Sequence, residues 1–244
     1  MFSFRLSIRS ALIIFSSLSQ SLIASKDWNQ FRGPNGDGDA GDSNPPIFFS
    51  PQENLTWQTS LRGKAWSSPV VRDGLIWVTN AQEDGKHLWA HQFDWKTGRE
   101  LNKILVFKNT DPQFCHPMNS YATPTPVIAN GTVFVHFGAH GTAALELKTG
   151  EKIWERRDFQ CDHWRGAAAS PIPHNNTLIV HFDGHDRQYV VCLDQKTGET
   201  IWKTKRAFDF KTDNGDNKKA YCTPTVISHK GKLELISPAA VATE

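Results

Sequence analysis

The 244-residue sequence predicts an all-β fold, a β-propeller built from four-stranded antiparallel blades. The first observation is a phrase that recurs about every fifty residues: FDWKTGRELN at 93–102, LELKTGEKIW at 145–154 and LDQKTGETIW at 193–202. The second is a Ser–Pro or Thr–Pro pair followed by two apolar runs, which stands upstream of each copy and again at 222–237. Runs this short, rich in Val, Ile and Leu and bounded by Gly or Asn turns, are typical of strands rather than helices.

The repeats divide the chain into blades. Trp57 precedes a Ser–Pro pair as the later tryptophans precede theirs, so its segment is interpreted as an isolated outermost strand that closes a ring. The propeller region, 54–244, comprises this closing strand at 54–61, three blades at about 66–106, 121–158 and 167–206, and a partial fourth blade at 221–237. Such an incomplete arc leaves sheet edges and an apolar blade face uncovered.

The recurring phrase is expected to be the turn between the third and fourth strands of a blade. Its acidic residue can accept backbone N–H bonds within the turn, and its glycine can adopt the positive φ of a tight hairpin. A tryptophan four residues after the glycine can fill the wedge between blades, which would contribute about 2–3 kcal/mol. The first copy carries Asn102 instead, so that joint is expected to be weaker or packed by another residue. The predicted docking residues are Asp94, Gly98, Gly150, Trp154, Asp194, Gly198 and Trp202.

These phrases resemble the docking motif of the pyrroloquinoline-quinone (PQQ)-like repeat, Ala-x-Asp-x-x-Thr-Gly-x-x-x-Trp. The segments 144–154 and 192–202 carry it, with Glu146 and Cys192 as departures. The opening DWNQFRGPNGDG at 27–38 is also similar to exported bacterial proteins of this kind. The resemblance implies a ring of seven or eight blades, so the chain is expected to be an arc of a longer or interrupted protein. The alternative is a closed four-bladed ring, with the closing strand beside the last strand of the partial blade.

The N-terminus is interpreted as an export signal over residues 1–25. Arg5 and Arg9 precede an apolar run, and the small residues Ala24 and Ser25 follow it. The alternative is an uncleaved anchor. No later stretch is long and apolar enough to cross a bilayer, so we expect a periplasmic or secreted protein that begins with an N-terminal segment over 26–53. The formal net charge of +2, without any basic run, argues against a nucleic-acid partner.

The loops between blades carry the residues that could support chemistry. In a propeller these loops share one face, opposite the repeated turns. Cys, His and Asp gathered there suggest a divalent metal site, although ordinary packing remains an alternative. A second alternative is a disulfide between Cys115 and Cys161, whose Cα atoms would have to lie within about 7 Å of each other. The candidate metal ligands are Cys115, His116, Cys161, His163, His140 and His185.

Two classes of function follow from these observations. The first is a binding or scaffold module that presents its loop-rich face to a protein partner or envelope component; its candidate residues are His163, Trp164, Arg165, His185 and Asp186. The second is a PQQ- or metal-dependent oxidoreductase. Quinoprotein dehydrogenases, which the repeat resembles, hold PQQ between a tryptophan floor and a disulfide of adjacent cysteines, beside a calcium ion. No adjacent cysteine pair exists here. A truncated chain without a function of its own is the third alternative.

Overall fold

The computed structural model describes residues 27–241, so the predicted signal peptide lies outside the described residues. The predicted propeller architecture is confirmed: three four-stranded antiparallel sheets and one two-stranded hairpin follow one another along the chain. The only helical element in the described part is a 3₁₀ turn at Gly215–Asn217. Within 27–241, no helix has the length and apolar character needed to cross a membrane.

Each of the three complete blades contains four strands in chain order, joined by hairpins. The first blade contains β1 (Val70–Arg72), β2 (Leu75–Ala81), β3 (His87–Asp94) and β4 (Glu100–Lys108). The second contains β5 (Val127–Ala129), β6 (Thr132–His136), β7 (Thr142–Glu146) and β8 (Lys152–Arg156). The third contains β9 (Ile172–His174), β10 (Thr177–Asp183), β11 (Gln188–Asp194) and β12 (Thr200–Lys205). The half-blade contains β13 (Thr225–His229) and β14 (Lys232–Ile236).

The hydrophobic core lies mainly between neighbouring blades. One cluster joins the first and second blades around Trp77, and another joins the second and third around Phe134 and Phe182. A smaller cluster packs Ile172 of the third blade against Val226 of the half-blade. Because each blade buries its apolar surface against the next, the blades stabilise one another in sequence.

A ladder of amide-to-hydroxyl hydrogen bonds links the residues that precede the proline at the start of each repeat. The amide of Ser68 donates to Thr125 Oγ1, that of Thr125 to Ser170 Oγ, and that of Ser170 to Thr223 Oγ1, each at 3.0 Å. One hydrogen bond of the same kind therefore crosses every joint, which explains why Ser or Thr stands before the proline in each unit.

Ser170→Ala is expected to lower the free energy of unfolding by about 1–3 kcal/mol, because it leaves the buried Thr125 amide without an acceptor. Ser170→Thr, which keeps the hydroxyl and matches the residue used at the neighbouring rungs, should stay close to wild type. Urea denaturation of the three proteins measures both values. An alanine variant as stable as the threonine variant would contradict a role for the ladder.

The repeated turns have the geometry that their sequence suggests. Asp94 Oδ1 accepts from the Thr97 amide at 2.8 Å and from the Thr97 hydroxyl at 2.7 Å, and Asp194 Oδ1 accepts from the Thr197 amide at 2.8 Å. The hydrogen bonds from Thr97 hold the pKa of the Asp94 carboxyl below its usual value. Gly198 has a φ of 73°, and a Cβ there would come within 2.7 Å of the Trp154 ring, so only glycine fits.

Two joints use a tryptophan in the same way: the one between the N-terminal segment and the first blade, and the one between the second and third blades. Trp154 Nε1 donates to the Gln195 carbonyl at 2.9 Å, and Trp57 Nε1 donates to the Trp95 carbonyl at 3.0 Å. The predicted strand at 54–61 is nevertheless not formed as a regular strand. Its tryptophan docks on the first blade, but the described residues place no strand beside it with which to form a ladder. The alternative of a closed four-bladed ring is not observed in 27–241 either, because β14 pairs with β13 alone.

The joint between the first and second blades has three other residues in place of the tryptophan. Ile104 lies over Gly150, where the other joints have an indole ring. Asn102 Nδ2 donates to Gln92 Oε1 at 2.5 Å, and Gln92 Nε2 donates to the Leu147 carbonyl at 2.8 Å. The amide of Gln92 thus supplies the hydrogen bond that an indole N–H makes at the equivalent carbonyl in the other joints.

The N-terminal segment runs along the innermost strands. Trp28 and Val71 exchange two backbone hydrogen bonds of 3.0 and 2.8 Å, and the Ile128 amide donates to the Asn29 carbonyl at 2.7 Å. Asn29 Nδ2 returns a bond of 3.1 Å to the Ile128 carbonyl. These contacts connect the inner strands of the first two blades, β1 and β5.

Candidate functional site

The three loops that join successive blades meet on one face of the arc. They span residues 109–126, 157–171 and 206–224. At their centre is a short turn, residues 162–166, whose backbone is held by side chains from both neighbouring loops. We call this turn, together with the residues that contact it, the loop-face site; the contacting residues are Phe114, Asn119, His185, Asp186 and Lys219.

Asn119 and Lys219 hold the turn from opposite sides. Asn119 Nδ2 donates to the Arg165 carbonyl at 2.8 Å. Lys219 Nζ donates to the His163 carbonyl and, at 3.1 Å, to the Gly166 carbonyl. Three consecutive loops are therefore joined through the backbone of the middle one.

Two aspartates also fix the turn: Asp162, which belongs to it, and Asp186, from the hairpin between β10 and β11. The Asp162 carboxylate accepts from the Trp164 amide at 2.8 Å, and the Asp162 amide donates to Asp186 Oδ1 at 2.6 Å. The Asp162 carbonyl accepts from the His185 amide at 2.6 Å. These bonds keep Trp164 at a φ of 50°, a left-handed conformation that bulky residues rarely adopt.

The result is an exposed aromatic surface on a rigid support. The Trp164 side chain is 45% exposed. Its ring centroid lies 5.4 Å from that of Phe114 and 6.2 Å from that of His185. Phe114 is exposed as well, so rings from two loops form one continuous apolar surface.

Lys219 is an unusual support because it is only 5% exposed. Burial lowers the pKa of its ammonium group to about 8, since desolvation disfavours the charged form. Its hydrogen bonds to two carbonyls and its position 4.8 Å from the Tyr221 ring centroid offset part of that cost. A buried ammonium in this place indicates that the conformation of the turn depends on it.

Comparison with known proteins gives the family. A family model described as outer membrane protein assembly factor BamB matches residues 51–160 and, in an overlapping match, 102–233. The chain belongs to this PQQ-like repeat family.

Three proteins that are similar to this PQQ-like repeat chain are longer than it. BamB from Moraxella catarrhalis superimposes with a TM-score of 0.54 and 18% identity over 77% of this chain and 50% of that chain. Quinohemoprotein alcohol dehydrogenase ADHIIG from Pseudomonas putida HK5 gives a TM-score of 0.52 and 20% identity over 77% of this chain and 28% of that one. Tetrathionate hydrolase from Acidithiobacillus ferrooxidans is 26% identical over 112 residues, 44% of this chain and 21% of that protein. The chain thus spans half or less of these relatives.

Four of the five predicted binding residues of this PQQ-like repeat chain reach the surface of the loop-face site. Trp164 presents its ring, Arg165 pairs with a neighbouring carboxylate at 2.8 Å, and His185 and Asp186 lie beside the turn. His163 is buried instead, and its ring lies against Gly138 and 3.3 Å from Cys161 Sγ. The structure therefore does not place His163 on the exposed surface with the other four residues.

The predicted metal ligands are not brought together. Cys161 Sγ lies 3.3 Å from His163 Nε2, but Cys115 Sγ lies beside the Arg165 carbonyl at 3.8 Å and His140 Nε2 accepts a backbone amide at 3.2 Å. Within residues 27–241, no group of three or more His, Cys, Asp or Glu side chains is arranged to hold a metal ion.

The alternative disulfide is not formed either. All four cysteines lie in the described part of the chain and all are free. Burial raises the pKa of the Cys115 and Cys161 thiols, so neither is activated as a thiolate.

The residues present do not fit the PQQ site that the resemblance to quinoprotein dehydrogenases implies. That site needs a disulfide of adjacent cysteines, whereas the cysteines here are separated in sequence and free. It also needs a calcium ion, and the acidic groups of 27–241 form no cluster for one. No catalytic step is therefore assigned to this cofactor.

The histidines at the ends of the second strands serve the joint between blades. His136 Nδ1 lies 2.8 Å from Thr142 Oγ1, and its ring meets the edge of Phe182 at 5.3 Å between centroids. Burial lowers the pKa of His136 to about 3, so the ring is neutral at physiological pH.

A buried polar network that the sequence pattern did not indicate attaches the half-blade to the third blade. Arg206 forms a two-pronged ion pair with Asp183, at 2.6 and 2.7 Å, and donates to the Ser237 carbonyl at 3.0 Å and hydroxyl at 2.9 Å. Ser237 Oγ also lies 3.0 Å from His181 Nε2. This is not a nucleophilic triad, because the carboxylate is engaged by Arg206 and all these side chains are buried.

Proposed function

We propose that the chain is an exported binding module that engages a protein partner of the cell envelope through the loop-face site. The observation that supports this most is the Trp164 turn: an exposed aromatic ring in a left-handed backbone conformation, fixed by Lys219, Asn119 and two aspartates. A ring fixed in advance loses little conformational entropy on binding, and tryptophan is enriched among residues that dominate interface energies.

The family description supports the same class of function. It names an assembly factor of outer membrane proteins, a role exercised by contacts with other proteins. The proposed location is the periplasm, in keeping with the export signal expected at residues 1–25.

A photo-crosslinking amino acid at position 164 tests the proposal in cells that produce the chain. We expect one discrete crosslinked protein from position 164 and none from position 95. Trp95 is the matched control, since it is also an exposed tryptophan (53%) but lies on a repeated turn at the opposite face. With the purified partner, Trp164→Ala should weaken binding about 30-fold or more, and Trp95→Ala should not.

Two results would contradict the proposal. Equal crosslinking from both faces would mean that Trp164 marks no specific surface. Retention of PQQ with calcium through dialysis, seen as a quinone absorbance band, would favour the oxidoreductase alternative.

A further inference from the structure

Each inner strand turns one peptide group away from its own sheet. In the hairpin of β5 and β6, the two residues that flank the turn form a hydrogen-bonded pair, so Ile128, one step further along, belongs to a pair without ladder hydrogen bonds. Its amide and carbonyl therefore point away from β6. Val71 of β1, Pro173 of β9 and Val226 of β13 occupy the equivalent position in their own hairpins.

The N-terminal segment binds this position in the first two blades. Trp28 exchanges two backbone hydrogen bonds with Val71, at 3.0 and 2.8 Å. The Ile128 amide donates to the Asn29 carbonyl at 2.7 Å, and the Ile128 carbonyl accepts from Asn29 Nδ2 at 3.1 Å. In both blades the segment supplies one acceptor and one donor, which is the pattern that a peptide strand offers to a sheet edge.

The third blade and the half-blade lack such a contact within residues 27–241. Pro173 has no amide hydrogen, and its carbonyl accepts no hydrogen bond from the described residues. The amide and the carbonyl of Val226 have no partner in that part of the chain either. One donor and two acceptors are therefore available along the inner edge of β9 and β13.

A cavity of about 290 Å³ lies at this edge. Pro173 and Val226 line it on one side, and residues 30–36 of the N-terminal segment line it on the other. Of the described residues around it, Arg32 and His174 carry ionisable side chains and none is acidic. The lining therefore favours a ligand with a negative charge.

Arg32 is held in place by the backbone around it. Its φ is 64°, a left-handed conformation that costs energy for a residue with a side chain. The Gly33 amide donates to the Gln30 carbonyl at 3.0 Å, and the Gly38 amide donates to the Arg32 carbonyl at 2.8 Å, so turns fix both sides of it. None of the ion pairs among the described residues includes Arg32. A fixed guanidinium without a carboxylate is ready to bind one.

We propose that this cavity binds the C-terminal end of an extended peptide. Amide hydrogens of the peptide donate to the carbonyls of Pro173 and Val226, and a peptide carbonyl accepts from the Val226 amide. The terminal carboxylate pairs with Arg32. The volume is at the lower end of the range for ligand pockets, about 300–1,000 Å³, which suits a short terminal segment. The cavity includes no residue of the loop-face site, so the inference does not depend on the proposed function.

Calorimetric titration of the purified chain with acetyl-Ala-Ala-Ala tests the charge recognition. We expect saturable binding of one peptide per chain, about tenfold tighter than binding of the same peptide with a C-terminal amide, since only the carboxylate pairs with Arg32. Arg32→Gln should abolish this difference. Arg62→Gln is the matched control, because Arg62 is exposed and lies outside the cavity, and its variant should keep the difference. Acetate, which has no peptide groups, should bind at least about tenfold more weakly than the peptide.

Val226→Pro tests the hydrogen bonds of the inner strand. The substitution removes the amide hydrogen, and β9 already has Pro173 at the equivalent position, so the circular dichroism spectrum should be unchanged. The affinity for the peptide should fall about fivefold, because one hydrogen bond is lost. Val226→Ala keeps the amide and should bind within about twofold of the wild type.

Three results would overturn the proposal. They are the absence of saturable peptide binding to the wild-type chain, equal affinities for the carboxylate and amide forms of the peptide, and wild-type affinity in a folded Val226→Pro chain. If Val226→Pro does not fold, the comparison of Arg32→Gln with Arg62→Gln decides between the proposal and its failure.

Discussion

Replacing Trp154 with alanine is expected to lower the free energy of unfolding by about 3 kcal/mol or more, measured by urea denaturation. The indole lies over Gly198, donates to the Gln195 carbonyl at 2.9 Å and packs on the Phe134 ring at 5.9 Å between centroids. Alanine would remove the ring contacts and leave a cavity at the joint between the second and third blades.

Trp202→Ala is the matched control. From the repeat alone, Trp202 is predicted to dock on a following turn, but in the structure it is 37% exposed and faces no further turn within residues 27–241. Its replacement should therefore cost about 1 kcal/mol or less. Equal losses for the two variants would contradict the assignment of the joint.

Arg206→Ala is expected to lower the free energy of unfolding by about 3–5 kcal/mol, because it leaves the buried Asp183 carboxylate without its cation. Both side chains are nearly inaccessible to water. The two-pronged pair and the hydrogen bonds to Ser237 connect the half-blade to the third blade. In the variant, the backbone amides of β13 and β14 should therefore exchange their hydrogens faster than in the wild type.

Arg165→Ala is the control for charge removal as such. Its pair with Asp216 has a similar distance, 2.8 Å, but both side chains are partly exposed, at 49% and 34%. Exposed pairs contribute at most about 1 kcal/mol. If the Arg206 variant were no less stable than the Arg165 variant, the buried network would not hold the half-blade in place.

The turn at residues 162–166 shows which features could not be predicted from the sequence. The loop was recognisable as a candidate surface because its blade position follows from the repeat. The backbone of this turn is held by Asn119 and Lys219, which donate to carbonyls 46 and 56 residues away in sequence. No periodic pattern connects such residues, since their contact exists only after the blades have packed.

The sequence by itself determined the repeat, the strands, the geometry of the repeated turns and the residue type before each proline. These features come from local conformational preference and from a period that the chain repeats, and both can be read without coordinates. The tertiary structure alone decided how each joint is filled. Trp57 and Trp154 each dock on a repeated turn, Trp202 meets no such turn within residues 27–241, and Gln92 substitutes where tryptophan is missing. The physical reason is that a docking contact needs a neighbouring blade at the correct distance, and this neighbour is supplied by the assembled arc rather than by the segment that carries the residue.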